Sequence, residues 1–240
     1  MDIDNTEKIK KIIKSLTPEE IRKLSIGEKK GKYTSYFFLV NLTEENMLHV
    51  SCILDDNDNF IVPILPIIFN KNDNVNYNDF NAELLNNELA MVFYTNKYYL
   101  LNLQKDNFNN NVIKKERALL TVDAYKKISD SILIGYYLER FLVYDFKNGR
   151  LLYTFDSYDK KGDEYHFSYN YNDGYAVLKF DKNMNLVDNK VLFVFGNKHI
   201  DVYIPKNFII NKQSIYEEVK KAFDFLYKDD QNVIRSDILQ

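Results

Sequence analysis

Between about residue 33 and about residue 205, bulky side chains fall on every second position of this 240-residue chain. A period of two sends alternate side chains to opposite faces of an extended strand, whereas a helix buries one face at spacings of three and four. In Met47–Leu54, MLHVSCIL, the rule puts Leu48, Val50, Cys52 and Leu54 on one side and His49 and Ser51 on the other. Cys52 is thereby assigned to the core. In AMVFYT and YYLLNL both faces are apolar, which places that pair centrally in its sheet. The fold class that follows is mainly β with an α+β margin: an antiparallel meander forming a sandwich, a curled sheet or an irregular propeller.

With 7 Gly and 4 Pro in the whole chain, the turns must be made mostly of Asn and Asp, which tolerate positive φ better than other non-glycine residues. The bias toward Asn, Lys, Ile, Tyr and Phe is what the codons of an AT-rich genome impose. Asp55–Asn59 (DDNDN) reads as one turn and Asn96-Lys97 as another. Asn148-Gly149, taken as a two-residue turn, pairs Phe146 with Leu151, Tyr144 with Tyr153 and Leu142 with Phe155 on an inward face. Val143, Asp145, Leu152 and Thr154 then form a thinner reverse side. Asp173-Gly174 sets Phe167 against Phe180 and Tyr169 against Leu178, with His166 facing Asp181 and Ser168 facing Lys179. Gly196-Asn197 pairs Phe193 with Ile200 and Val191 with Val202.

At both ends the period changes. Ile9, Ile12 and Ile13 recur at helical spacing, and Thr17-Pro18-Glu19-Glu20 supplies an N-cap, a proline at the first helical position and a capping-box glutamate. Ser214-Ile215-Tyr216-Glu217 reads as a second capping box, opening a helix with Val219, Phe223 and Leu226 on one side. Thr121–Asp130 (TVDAYKKISD) is expected as a short helix, Glu28–Lys32 as a solvated linker and Lys71–Asn81 as a loop. Three parts follow: residues 1–30 as a helical segment packed on the main domain, residues 31–212 as one antiparallel β domain, and residues 213–240 as a C-terminal helix and tail.

Charge and cysteine content narrow the function classes. The 32 basic and 35 acidic residues are interspersed, and a net charge of -3 provides no positive field to collect phosphates, which argues against a nucleic-acid partner. Phe60–Phe69 (FIVPILPIIF) is about half of the roughly 20 residues a membrane span needs, and Pro63 and Pro66 break it. No membrane association is expected. The first residues carry acids ahead of bases and no signal-peptide pattern, so the mature chain is expected to begin near Met1. A lone cysteine fits a reducing compartment, cytoplasmic by default, and removes thiol-based zinc sites.

The candidates for chemistry are few. His166 opposite Asp181 would let a carboxylate orient an imidazole as a general base. Asp188-Asn189-Lys190 has the shape of the acid-x-lysine element of metal-dependent nucleases, where the acid holds a cation and the lysine orients water. The first combination also arises on ordinary wet sheet faces, and the second is a three-residue pattern in a chain rich in both residue types. Asp55, Asn57 and Asn59 imitate the start of a calcium loop, but Phe60 and Pro66 stand where its glycine and bidentate acid belong. No phosphate-binding loop, dinucleotide fingerprint or nucleophile elbow occurs, and neither a cofactor nor a metal is implied.

Aromatic content is the unusual property, with 19 Tyr and 17 Phe. Most serve the core and half-buried strands. Those in excess of that need would form a contact patch, because Tyr offers a large area and a polar tip; Tyr98, Tyr136, Tyr137 and Tyr158 are the candidates. The expected function is therefore a cytoplasmic protein-binding module that neutralises or modulates a partner protein, of immunity or viral accessory type. A metal-dependent hydrolase or nuclease using scattered carboxylates is the first alternative, and a structural subunit of an assembly the second. Oligomeric state is left open.

Overall fold

Two N-terminal helices form where the sequence places their signals. In the computed structural model, which describes residues 3–25, 27–71, 82–222 and 224, helix α1 spans Ile3–Ser15 and α2 spans Pro18–Leu24. Thr17 caps α2: its hydroxyl accepts from the Glu20 amide, and the Glu20 carboxylate accepts in return from the Thr17 amide at 2.8 Å. The chain is mainly β beyond this point, and its strand pairs run antiparallel. It divides into two compact units, 1–124 and 125–240, so a boundary falls within the 31–212 span read from the sequence as one β domain.

The first unit holds two four-stranded sheets and a two-stranded ribbon. β1 (Glu28–Lys30), β2 (Tyr33–Asn41), β3 (Asn46–Asp55) and β4 (Phe60–Asn70) pair in sequence order. β5 (Ala82–Leu84), β6 (Leu89–Tyr94), β7 (Lys97–Asn102) and β10 (Leu120–Val122) form the second sheet, with β8 (Phe108–Asn109) and β9 (Val112–Ile113) as the ribbon. β3 is covered on both sides. Leu48, Val50 and Cys52 pack with Ile9 and Ile21 of the helices, while Ile53 packs with Val92, Tyr99 and Leu101 of the second sheet. Burial pushes the Cys52 thiol up to about 12. Pro63 and Pro66 are tolerated because β4 is an edge strand, where alternate N–H groups face away from the sheet, and its register with β3 shifts between Val62 and Leu65, around Pro63.

The second unit holds a four-stranded sheet, β11 (Ala124–Lys127), β12 (Ile132–Tyr137), β13 (Arg140–Asp145) and β14 (Arg150–Phe155), and a five-stranded one. The latter orders β15 (Ser157–Lys161), β16 (Glu164–Tyr171), β17 (Gly174–Phe180), β18 (Leu186–Phe195) and β19 (Lys198–Tyr203) consecutively. Helix α3 covers residues 212–222 and buries Ile215 and Val219 in the same core. At the centre, the Phe155 ring of β14 stacks on Phe167 of β16 at 4.5 Å and meets Phe180 of β17 edge-on at 5.9 Å. Phe167, Tyr169, Leu178 and Phe180 are buried, as the two-residue period requires.

Several local expectations are corrected. Residues 28–30 are an edge strand paired to β2, not a solvated linker, because the Gly31-Lys32 turn folds them back onto Tyr33–Ser35. Thr121–Asp130 is no helix: Val122 pairs with Tyr98, and Ala124–Lys127 forms an edge strand with alternating burial. The β6–β7 turn is Thr95-Asn96 and the β16–β17 turn Asn172-Asp173, each one residue before the expected pair. In β16 and β17 that shift moves the register by two and preserves the faces, yet it replaces Asp181 with Lys179 as the residue opposite His166. The Gly196-Asn197 turn gives the expected register, with Phe193 opposite Ile200. α3 is capped by Asn211, whose side chain accepts from the Ser214 amide at 2.9 Å, so Ser214 is not its cap. Phe223, Leu226, the tail and Asn72–Asn81 lie outside the described residues.

The β13–β14 connection departs furthest. Residues 146–149 all belong to the loop, and a register shift follows between Val143 and Tyr144. Phe141 therefore opposes Phe155 and Val143 opposes Tyr153 on the inward side, while Leu142 opposes Thr154 and Tyr144 opposes Leu151. The cause is Asp145, whose carboxylate accepts from the Asn148 amide at 3.0 Å and from its side chain at 2.7 Å. That closure stabilises a four-residue loop over a two-residue turn.

A matching device appears twice elsewhere. In Asp55–Asn59 and Asp181–Asn185, both D-x-N-x-N, the aspartate accepts from the amides two and four residues on and from the last Asn side chain. The fourth residue, Asp58 or Met184, takes positive φ. The calcium-like pattern is thus a turn whose carboxylate faces N–H donors. Burial opposes the charge on Asp181, but the Asn185 amide and side chain and the Asn183 amide outweigh it and hold the carboxyl below its ordinary range.

Three substitutions have expected outcomes. The Asp181 contribution is complete above an unfolded value of about 4 and is lost as pH falls through the lower folded value. Asp181→Ala should therefore cost about 1 kcal/mol at pH 7, and the gap to wild type in urea midpoints should narrow progressively as the pH falls below that unfolded value. At Gly174, a Cβ would sit 2.0 Å from the Val194 carbonyl oxygen on the neighbouring strand. Gly174→Ala should lower stability by roughly 3 kcal/mol or more. Gly149→Ala, with nothing within 4 Å but a φ of 66°, should cost about 1 kcal/mol.

Candidate functional site

Two of the polar candidates, His166 and Lys190, lie on the outer face of the five-stranded sheet, opposite its aromatic core. Strand register sets them in rows: Asp159, His166 and Lys179 are neighbours across β15–β17, and Lys190 and Tyr203 are neighbours across β18 and β19. The Glu164 carboxylate, two residues back on β16, accepts from His166 Nε2 at 2.9 Å. Lys190 is ion-paired with Asp201 at 2.7 Å and lies 5.4 Å from the Tyr203 ring. The Asp201 hydrogen bond holds the Lys190 ammonium above its ordinary range. Two strand spacings, roughly 10 Å, separate the backbones of β16 and β18.

Asp181 and Asp188 stand apart from both pairs. Asp181 is engaged in its turn, and Asp188 lies with Asn189 at an irregularity of β18 where both take positive φ. His166, Asp181, Asp188 and Lys190 are thus spread over a wet sheet face and its border. No group of three or more His, Cys, Asp or Glu side chains among the described residues is placed to hold a metal ion. His49, on the other hand, is buried in the first unit, 3.4 Å from the Ser51 hydroxyl and edge-on to Phe37.

The four candidate tyrosines fall into different surroundings. Tyr98 lies on β7 of the first unit, its ring 4.8 Å from Phe93. Tyr158 is wedged among Phe141, Tyr165 and Phe167, and its buried hydroxyl has no hydrogen-bond partner among the described residues. Burial raises that phenol above its ordinary range. Tyr136 and Tyr137 end β12, and Tyr136 is 36% exposed, with Phe141 5.1 Å away across the hairpin.

That hairpin carries a feature the sequence reading missed. Tyr137 pairs with Arg140, so the turn consists of Leu138 and Glu139, at φ of 49° and 62°. Two successive positive values define the turn that suits hairpin twist, which favours Asn and Gly. The other such turns among the described residues contain Asn: Thr95-Asn96 and Asn110-Asn111. Leu138 nevertheless occupies a left-handed conformation with its side chain 72% exposed. A strained backbone holding an exposed leucine beside an exposed tyrosine is a local disadvantage in both stability and solubility. The missed signal is the sequence itself: YYLERF places four non-turn residues where the meander requires a reversal.

No protein-family model matches the chain, and no curated protein matches it. Among solved structures, it resembles the crystal structure of AztD from Citrobacter koseri with a TM-score of 0.22 and 6% sequence identity. That likeness covers 75% of this chain, which spans 59% of the length of AztD. Similarity at this level carries no argument about fold or function.

Replacing Leu138-Glu139 with Asn-Gly should relieve the turn. We expect a gain of about 1–2 kcal/mol in denaturant midpoint experiments. An unchanged or lower stability would mean that the turn is not strained.

Proposed function

We propose that this chain is a cytoplasmic protein-binding module that neutralises or modulates a partner protein, in the manner of immunity proteins or viral accessory factors. The observation that supports it is the Leu138 turn. Exposed apolar area costs solubility, and left-handed leucine costs folding energy, of order 1 kcal/mol or more. Retention of both at one hairpin tip is accounted for if Leu138 and Tyr136 enter a pocket on a partner, as aliphatic and aromatic anchors do at interface centres. The flanking Glu139 and Arg140 are exposed and supply a polar rim of both signs. Cys52, buried and with a thiol pushed up to about 12, is suited to a reducing compartment and takes no part in binding.

The test uses the opposition between stability and binding. Tagged wild-type chain and Leu138→Asn are crosslinked in extract of the native host, and captured proteins are quantified. The variant should fold at least as stably and lose one specific protein by about tenfold or more. Identical capture by the two would remove the tip from any interface. Enrichment of nucleic acid instead would overturn the reading as a protein binder.

A further inference from the structure

A second feature of the second unit lies where α3 meets the end of the β16–β17 hairpin. A cavity of about 190 Å³ is lined by Asp173, Phe193, Phe195, Tyr216, Val219, Lys220 and Asp224. Sites for drug-sized ligands run from about 300 Å³ upward, so this one suits a single side chain. Phe193 and Val219 are buried and belong to the core, whereas Phe195 is partly exposed. The Tyr216 hydroxyl reaches the Asp173 carboxylate at 3.4 Å, a long contact that leaves the acid weakly engaged. Two carboxylates and one ammonium therefore surround three aromatic rings and a valine.

Immediately beside it, across Tyr216, the same combination is already filled by the chain's own residues. The Lys212 ammonium lies 5.7 Å from the Tyr171 ring and is ion-paired with Asp156, whose carboxylate also accepts from the Asn170 amide at 2.8 Å. The Tyr171 hydroxyl in turn donates to the Lys212 carbonyl at 2.9 Å, and its ring packs 4.9 Å from Tyr216. An aliphatic stem over an aromatic face with its charge on an aspartate is the local pattern.

The geometry points to a cationic side chain, arginine or lysine, supplied by a protein partner, as the occupant of the cavity between Asp173, Phe195, Tyr216 and Asp224. The stem lies against Phe193, Phe195 and Val219, and the charge reaches the Asp173 and Asp224 carboxylates. Arginine has the advantage of a planar group that stacks on rings. Lys220, of like charge on the rim, opposes the occupant and tunes its affinity downward. This site is separate from the Leu138 tip and gives the partner a second, charged point of attachment.

The test does not require the partner. N-acetyl-arginine and N-acetyl-lysine methylamides are titrated into the full chain at low salt, with the citrulline and norleucine analogues as neutral counterparts, and binding is followed by chemical-shift changes of Val219 and Tyr216. The cationic probes should saturate at roughly 1–10 mM and bind about fivefold to tenfold tighter than the neutral ones. Asp173→Asn should remove that preference, and Lys220→Met should tighten cation binding by about twofold or more. Equal binding of the norleucine probe, or no saturable shift with either cation, would overturn the assignment. Loss of capture by Leu138→Asn bears only on the proposed protein-binding role, so the two can fail independently.

Discussion

The stack of Phe155, Phe167 and Phe180 is the constraint on which the second unit depends. Three rings from β14, β16 and β17 meet at 4.5–5.9 Å, and each is almost wholly excluded from water. Burial of such a ring contributes about 1.5–3 kcal/mol, and the ring pairs add about 0.5–1.5 kcal/mol each. Because strands alternate, fixing these rings inward fixes His166, Lys179, Lys190 and Asp201 outward. The polar face is therefore a consequence of the aromatic one.

Aspartate plays the part that glycine usually takes. Asp55, Asp145 and Asp181 each close a reversal with their carboxylates, and so provide loop geometry without needing a residue that lacks a side chain. This explains how a chain with 7 glycines makes so many hairpins. It also explains why Asp181 does not serve His166: its carboxylate is already held by the Asn183 and Asn185 amides of its own turn. Leu138 departs from the rule, being, among the described residues, the one at a two-residue reversal tip that is neither polar nor compact. Its cost to the fold is what gives it functional interest.

Much of the architecture was legible because it rests on period and on turn chemistry. The capping box at Thr17, the Gly196-Asn197 register, the two-sided burial of β6 and β7 and the inward face of β16 and β17 all follow from residues close together in the chain. Structure and sequence part where two local solutions differ by a single residue. Asp173-Gly174 and Asn172-Asp173 are both acceptable turns, yet only one leaves His166 facing Lys179. Ser214 and Asn211 are both good caps, and the helix takes the earlier one. The helix expected over Thr121–Asp130 does not form because short segments with lysines have little intrinsic preference, and pairing of Val122 with Tyr98 decides the matter from outside.

By itself the sequence determined that the middle of this chain would be antiparallel strands with aromatic interiors, since a two-residue beat of large side chains has one efficient way to leave water. It also determined where most strands would reverse. Only tertiary structure decided which side of β13 faces inward, because Phe141 and Val143 compete with Leu142 and Tyr144 on near-equal hydrophobic terms. The choice went to the register that Asp145 locks and that lets Phe155 reach Phe167. The cavity beside Tyr216 is likewise invisible in sequence: its lining comes from a hairpin tip, a strand end and a helix, the first and last 43 residues apart at Asp173 and Tyr216, brought together by the shared core beneath them.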